Sequence, residues 1–175
     1  MLKHRQLQKW FPDSDIVVLP PAAITPQVTD EGARAVLTEA GMPENLYDVL
    51  DLHSRLSVAV TTIGEAYAQQ DAQAPANTEA LLYLGFAGQR FLALNGQSGE
   101  VLQVHDDFGA RPFAPGLESF VRALGAVNNR VRKSLKKGRT SSVEQLLAEV
   151  SKEFPLADAE HAWRDFLADI VASAE

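Results

Sequence analysis

Apolar positions between residues 79 and 124 fall into three short runs and then into a spacing that suits a helix. Ala80-Leu81-Leu82-Tyr83-Leu84, Phe91-Leu92-Ala93-Leu94 and Val101-Leu102-Gln103-Val104 are separated by residues 85–88 and by Asn95-Gly96-Gln97-Ser98-Gly99. Asn-Gly between apolar runs signals a hairpin, because both residues tolerate the positive φ that tight hairpin turns require. The block therefore predicts an antiparallel meander. Leu82, Leu84 and Phe86 are matched by Leu81 and Tyr83 on the alternate side, so both faces are apolar and the strands are expected to lie centrally, covered on each side. After Pro115-Gly116, Leu117, Phe120, Val121 and Leu124 recur at helical spacing and predict a helix laid on the meander.

The flanks add further elements. Residues 2–11 predict a short helix stopped by Pro12, and residues 15–19 an extended segment ended by Pro20-Pro21, which lack a ladder donor. Thr29 is expected to cap a helix with Asp30 and Glu31 in its first turn. Ala33, Val36, Leu37 and Ala40 would share its buried face, with Gly41 and Pro43 at its end. Residues 46–63 mix periods; Leu56-Ser57-Val58-Ala59-Val60-Thr61-Thr62-Ile63 reads more as strand. Residues 72–77 form a small, polar, proline-bearing loop, expected to be exposed and mobile. Ser141-Ser142-Val143-Glu144 fits a capping box opening a helix with Val143, Leu146, Leu147 and Val150 on one face. Asp158 is expected to cap a last helix striped by Trp163, Phe166, Leu167, Ile170 and Val171. The fold class is α+β: an antiparallel or mixed central sheet, its meander near residues 80–105, backed by helices, with additional C-terminal helices.

A chain of 175 residues suits one domain, and at this size folding buries about 70% of the surface of the unfolded chain. With no cysteine, stability rests on the core rather than on disulfides. No run approaches the ~20 apolar residues of a membrane span, and no apolar segment follows the basic start at residues 1–6. A cytoplasmic protein is the expectation.

Charge is unevenly spread. Arg130, Arg132, Lys133, Lys136, Lys137 and Arg139 form a run with no acid between them. Removing these six from the 16 basic residues leaves 10 against 23 acids, a balance of −13 for the rest of the chain. Such an acidic body repels nucleic acid and steers toward a basic partner. The basic run reads either as a solvated helix end or exposed connection, or as a phosphate contact.

Catalytic patterns are not found. His4, His53, His105 and His161 form neither an H-E-x-x-H pair nor a two-His-plus-carboxylate cluster. His105-Asp106-Asp107 places a base next to carboxylates, but at a strand end it reads as a turn. Asp107-Phe108-Gly109 matches a kinase tripeptide without the rest of that signature, and Gly138-Arg139-Thr140 lacks the glycines and lysine of a phosphate loop. No serine lies in G-x-S-x-G, and no aromatic interleaves with the basic run as a base-stacking platform. No enzyme activity, metal or cofactor is expected.

Val18-Leu19-Pro20, a helix ending Leu37-Thr38-Glu39-Ala40-Gly41-Met42-Pro43, the strand at residues 81–85, Arg90-Phe91-Leu92-Ala93-Leu94-Asn95, Gly99-Glu100-Val101 and Leu117-Glu118-Ser119-Phe120-Val121 follow one another in this order. That order resembles the fourth subgroup of the SUKH superfamily of bacterial immunity proteins. Its G-(L/M)-P after a helix corresponds to Gly41-Met42-Pro43, and its x-G-x-V strand pattern to Ser98-Gly99-Glu100-Val101. Ala114-Pro115-Gly116 stands where members have an Asn-Ser-Ser step, and Asn95 where they often have Asp. The resemblance covers about residues 15–127 of a single SUKH-like domain over residues 1–175, with residues 128–175 as a C-terminal helical extension.

The resemblance implies a non-enzymatic protein that binds and neutralises a cognate toxin, a nuclease or deaminase, by steric and electrostatic occlusion. The partner would be a basic toxin protein, with no small-molecule substrate, no nucleic acid and no membrane, and the chain a monomer or homodimer. The family varies its contact surface, so no functional position carries over. On a rigid scaffold, loops carry function, which directs attention to Asp106, Asp107 and Phe108, with Glu100 and Arg111 nearby: acids to meet toxin lysines and an aromatic anchor. The alternative is that the two aspartates merely cap a turn and Phe108 is core. The rival functions are an interaction scaffold or regulatory module of the same fold, and a nucleic-acid-associated protein using residues 130–139.

Overall fold

The computed structural model describes residues 2–52 and 61–174. Helix α1 (His4–Trp10) closes with the Phe11 N–H on the Leu7 carbonyl at 2.8 Å, one residue before Pro12. Strand β1 (Ile16–Val17) pairs antiparallel with β2 (Met42–Pro43) to form a small sheet. Between them runs α2 (Glu31–Ala35), capped by Asp30, whose Oδ1 accepts from the Ala33 N–H at 2.6 Å. The cap is one residue later than expected. Thr29 instead donates its backbone N–H to the Gly96 carbonyl at 2.8 Å, which ties this segment to the turn before β7 (Val101–His105). α2 continues as a wider π turn over Val36–Ala40, closed by Gly41 N–H to Val36 O at 2.7 Å. Ala33, Val36, Leu37 and Ala40 are all buried, as their spacing predicts.

The main sheet takes the strands in sequence order, each antiparallel to the next: β3 (Asn45–Leu46), β4 (Leu50–Leu52), β5 (Leu82–Ala87), β6 (Arg90–Leu94), β7 and β8 (Gly109–Ala114). The α+β meander is therefore present and wholly antiparallel. Its first strand runs past Gly85 instead of turning there. At φ +145° Gly85 lies opposite Leu52 of β4 and at a register shift in its pairing with β6, and a Cβ on it would overlap the Asp51 carbonyl oxygen. This glycine serves close approach of two strands, and the chain reverses at Gly88 and Gln89. β8 was not visible in the pattern. It holds Pro112, which is tolerated because β8 is the edge strand.

Helix α3 (Ile63–Ala68) begins at Ile63, the last residue of the segment expected as strand. It opens with a capping box in which Thr62 Oγ1 accepts from the Glu65 N–H and the Glu65 carboxylate accepts from the Thr62 N–H. Only an isolated bridge from Thr62 to Leu82 is sheet-like. The rest of the strand reading, residues 56–60, and His53 lie outside the described residues. In the loop at residues 72–77, Ala74 is buried against the apolar cluster that includes Tyr67, so the segment is only partly exposed.

Both faces of the central strands are covered, as their two-sided apolar pattern predicts. Leu84, Leu92, Leu94, Val101 and Phe113 lie in the cluster with α4 (Leu117–Leu135), α5 (Val143–Val150) and α6 (Glu160–Ser173). Tyr83, Phe91, Leu102 and Val104 meet Ile63, Ala66 and Tyr67 of α3 on the other face. The C-terminal helices pack back on the sheet. The Trp163 indole N–H donates to the Phe113 carbonyl at 2.6 Å in a buried site, and the Phe113 ring lies 4.6 Å from that of Trp163. α5 is capped by Ser142 with Gln145, shifted by one residue from the Ser141–Glu144 box read in the sequence. Ser141 is buried and donates its hydroxyl to Ser134 Oγ at 2.8 Å. Asp158 does not cap α6; it lies in a 3₁₀ turn (Ala157–Ala159) that runs straight into the helix. Among the described residues no helix is long and apolar enough to cross a membrane.

Candidate partner-binding site

The β7–β8 hairpin pairs His105 with Gly109 and leaves Asp106, Asp107 and Phe108 as its tip. All three are exposed. The tip is nonetheless ordered by local contacts: the Asp107 N–H lies 3.2 Å from His105 Nδ1, and the His105 ring stacks on Phe108 at 5.6 Å with a 23° interplanar angle. The Arg111 guanidinium carbon sits 4.4 Å from the Phe108 ring centroid. A cation held this close to an aromatic face is worth about 0.5–1 kcal/mol at an exposed site. Phe108 is thus fixed in place while 38% exposed.

What fixes Arg111 lies beneath the hairpin. Gln103, directly across the ladder, is fully buried, and its Oε1 accepts from Arg111 Nε at 3.0 Å and from Nη2 at 2.8 Å. Asp165 of α6 accepts from the same Nη2 at 2.8 Å and from Arg90 of β6 at 3.3 Å. Burial works to raise the Asp165 pKa, but the Arg111 hydrogen bond and the charges of Arg111, Arg90 and His161 outweigh it and hold the carboxyl below its usual range. The carboxylate is thus a fixed anion at neutral pH. Gln103 Nε2 is buried with no hydrogen-bond partner among the described residues; presenting Oε1 to two guanidinium donors sets the amide orientation at that cost. On the opposite face, Tyr67 of α3 lies beside the Asp106 carboxylate. Burial first, then the hydrogen bond and charge of Asp106, push the Tyr67 phenol up to about 12.

Of the residues singled out in the sequence, the fold brings Asp106, Asp107, Phe108 and Arg111 together. Glu100 stands before the opposite end of β7, about 20 Å from the tip at ~3.4 Å per strand residue. There its N–H donates to Ser98 Oγ at 3.3 Å and its carbonyl accepts from the Asn95 N–H at 2.9 Å, so it closes the preceding turn. Sequence reasoning missed Gln103, Arg90, Asp165 and Tyr67. Gln103 carried a signal, as the one polar residue in an apolar run; Asp165 carried none, being 54 positions from Arg111. Among the described residues no three His, Asp or Glu side chains gather closely enough to hold a metal ion. The arrangement presents a flat apolar anchor next to two carboxylates and keeps the Arg111 and Arg90 cations against the Asp165 carboxylate beneath it, which suits protein recognition.

The family model of the SUKH-4 immunity protein matches residues 2–169, which takes in the C-terminal helices as well as the meander. Comparison with curated proteins and with solved structures returns no significant match.

Proposed function

The chain belongs to the SUKH-4 immunity protein family, and we propose that it neutralises a basic toxin by stoichiometric binding, without turnover, through the tip of its β7–β8 hairpin. The observation that carries this reading is Phe108, exposed at the hairpin tip directly after Asp106 and Asp107 and held by His105 and Arg111. An aromatic already immobilised loses little entropy on binding, and hot spots are typically such residues in a ring of polar contacts. The neighbouring carboxylates would meet lysines or arginines around the toxin's substrate cleft. A nuclease or a nucleic-acid deaminase fits best, because an enzyme that holds phosphate backbones carries a basic cleft. The acidic body adds long-range steering, raising the association rate so that the toxin is captured before it reaches its target. Occlusion of the cleft is then both steric and electrostatic.

The test is growth rescue. Bacteria expressing a candidate cognate toxin encoded near this gene should grow when the wild-type chain is co-expressed. They should fail with Asp106→Lys/Asp107→Lys and with Phe108→Ala, both at wild-type protein levels. Full rescue by both variants would remove the hairpin tip from the contact surface, and no rescue by the wild type would remove the toxin reading itself.

A further inference from the structure

We propose that the C-terminal end of α4, with the cavity beside it, is a second docking surface, one that takes an acidic protein segment bearing one large apolar side chain. The surface is built from α1, the β3–β4 hairpin and α4, and shares no residue with the β7–β8 tip. Leu135 is 44% exposed, the most exposed large apolar side chain among the described residues, and stands at the rim of a cavity of about 220 Å³. Phe11, Leu46, Tyr47, Asn128 and Arg132 contribute to the lining.

Two polar side chains of that lining, Tyr47 and Asn128, are already engaged by the fold, while Asp13 at its edge stays exposed. The Tyr47 hydroxyl donates to Asn128 Oδ1 at 2.7 Å, and Asn128 Nδ2 donates to the Trp10 carbonyl at 2.6 Å. These bonds hold Tyr47 and Asp48 at φ +55° each, a conformation non-glycine residues rarely keep without tertiary support. With Tyr47 and Asn128 bonded to each other, Phe11, Leu46 and the Tyr47 ring offer apolar surface beside Leu135, which an apolar side chain can cover.

The rim supplies the charge. Lys133, Lys136, Lys137 and Arg139 are exposed and make no ion pair among the described residues. Arg132 has a loose partner in Asp13 at 3.7 Å, whose carboxylate is almost fully exposed and can give way to an incoming one. Cations in the last turn complement the helix dipole, which accounts for Arg132 and Lys133. Lys136, Lys137 and Arg139 lie past the helix end at Leu135, and the dipole does not account for them or for the exposed leucine. Nucleic acid would meet charge here but no exposed aromatic platform for its bases. A carboxylate-rich protein segment meets both the charge and the apolar surface.

Fluorescence anisotropy tests this with a short labelled peptide of Asp and Glu around a central Phe, the same peptide with Ala for Phe, and a thymidine oligonucleotide. The Phe peptide is expected to bind more than about tenfold tighter than the Ala peptide. Leu135→Asp and, separately, Lys136→Glu/Lys137→Glu should each weaken it by a similar factor, at unchanged thermal stability. Asp106→Lys/Asp107→Lys, on the other surface, should leave it unchanged, so failure here is separable from failure of the toxin reading. Equal binding of the two peptides, tighter binding of the oligonucleotide, indifference to both α4 variants, or self-association abolished by Leu135→Asp would each overturn the proposal.

Discussion

Arg111 donates to Asp165 Oδ2 at 2.8 Å, and through that bond a helix near the C-terminus fixes the cation that caps an exposed aromatic on a hairpin 54 residues earlier. The tip's geometry is therefore a property of the whole sheet-and-helix packing. On the proposed toxin contact at this tip, binding should be weakened by a substitution at a residue that itself touches no toxin.

Asp165→Asn keeps the shape and removes the charge. It should cost about 1 kcal/mol of stability at neutral pH and weaken toxin binding without altering the tip sequence. The pH dependence has a definite sign. Because the folded carboxyl lies below its unfolded value, its stabilisation is fully present above about pH 4 and is lost as pH falls through the folded value. Denaturant melts of the two proteins should differ at pH 7 and converge in acid. A difference that grew in acid would contradict the assignment.

Gly85→Ala should destabilise by more than about 2 kcal/mol, because the new Cβ meets a neighbouring backbone oxygen at a φ that alanine disfavours. Urea unfolding measures this; an effect within ~0.5 kcal/mol of zero would rule out the close approach of β4 and β5.

Trp163→Ala should cost about 3–5 kcal/mol, since it empties a fully buried site and orphans the Phe113 carbonyl. Trp163→Phe, which keeps an aromatic ring but loses the N–H donor, should fall well short of that. Equal losses would mean that the lost hydrogen bond to the Phe113 carbonyl, not the packing of the ring, carries the cost.

Ser142→Ala removes the α5 cap and should cost about 1 kcal/mol, with Gln145→Ala smaller in the same direction and Glu144→Ala near zero. Thermal melts that showed Glu144→Ala as the damaging change would return the cap to Ser141.

Much of this fold can be read in the chain because its signals are local. The apolar runs around Asn95-Gly96 produced β6 and β7, and the spacing of Leu117, Phe120, Val121 and Leu124 produced α4. What escaped depends on tertiary contacts. Tyr47-Asp48 makes a hairpin turn with no glycine, sustained by a hydrogen bond from Tyr47 to Asn128 on a distant helix. β8 breaks alternation and carries Pro112, acceptable only because no strand lies beyond it. The caps moved by one residue where neighbouring side chains had other partners, as Ser141 does in Ser134. Thr62 and Glu65 were a readable capping box hidden by the β-branched residues before them. In the candidate site, Phe108 and its neighbouring acids stood out as a cluster in sequence, but the Gln103–Arg111–Asp165 support exists only after β7, β8 and α6 are assembled.

Calorimetric titration of a purified candidate toxin encoded near this gene into the wild-type chain and into a Phe108→Ala/Asp106→Lys/Asp107→Lys variant addresses the central claim most directly. A one-to-one complex is predicted for the wild type, weakened by rising salt, with the variant more than about a hundredfold weaker yet equally stable. Equal affinity of the two proteins for the toxin would contradict it.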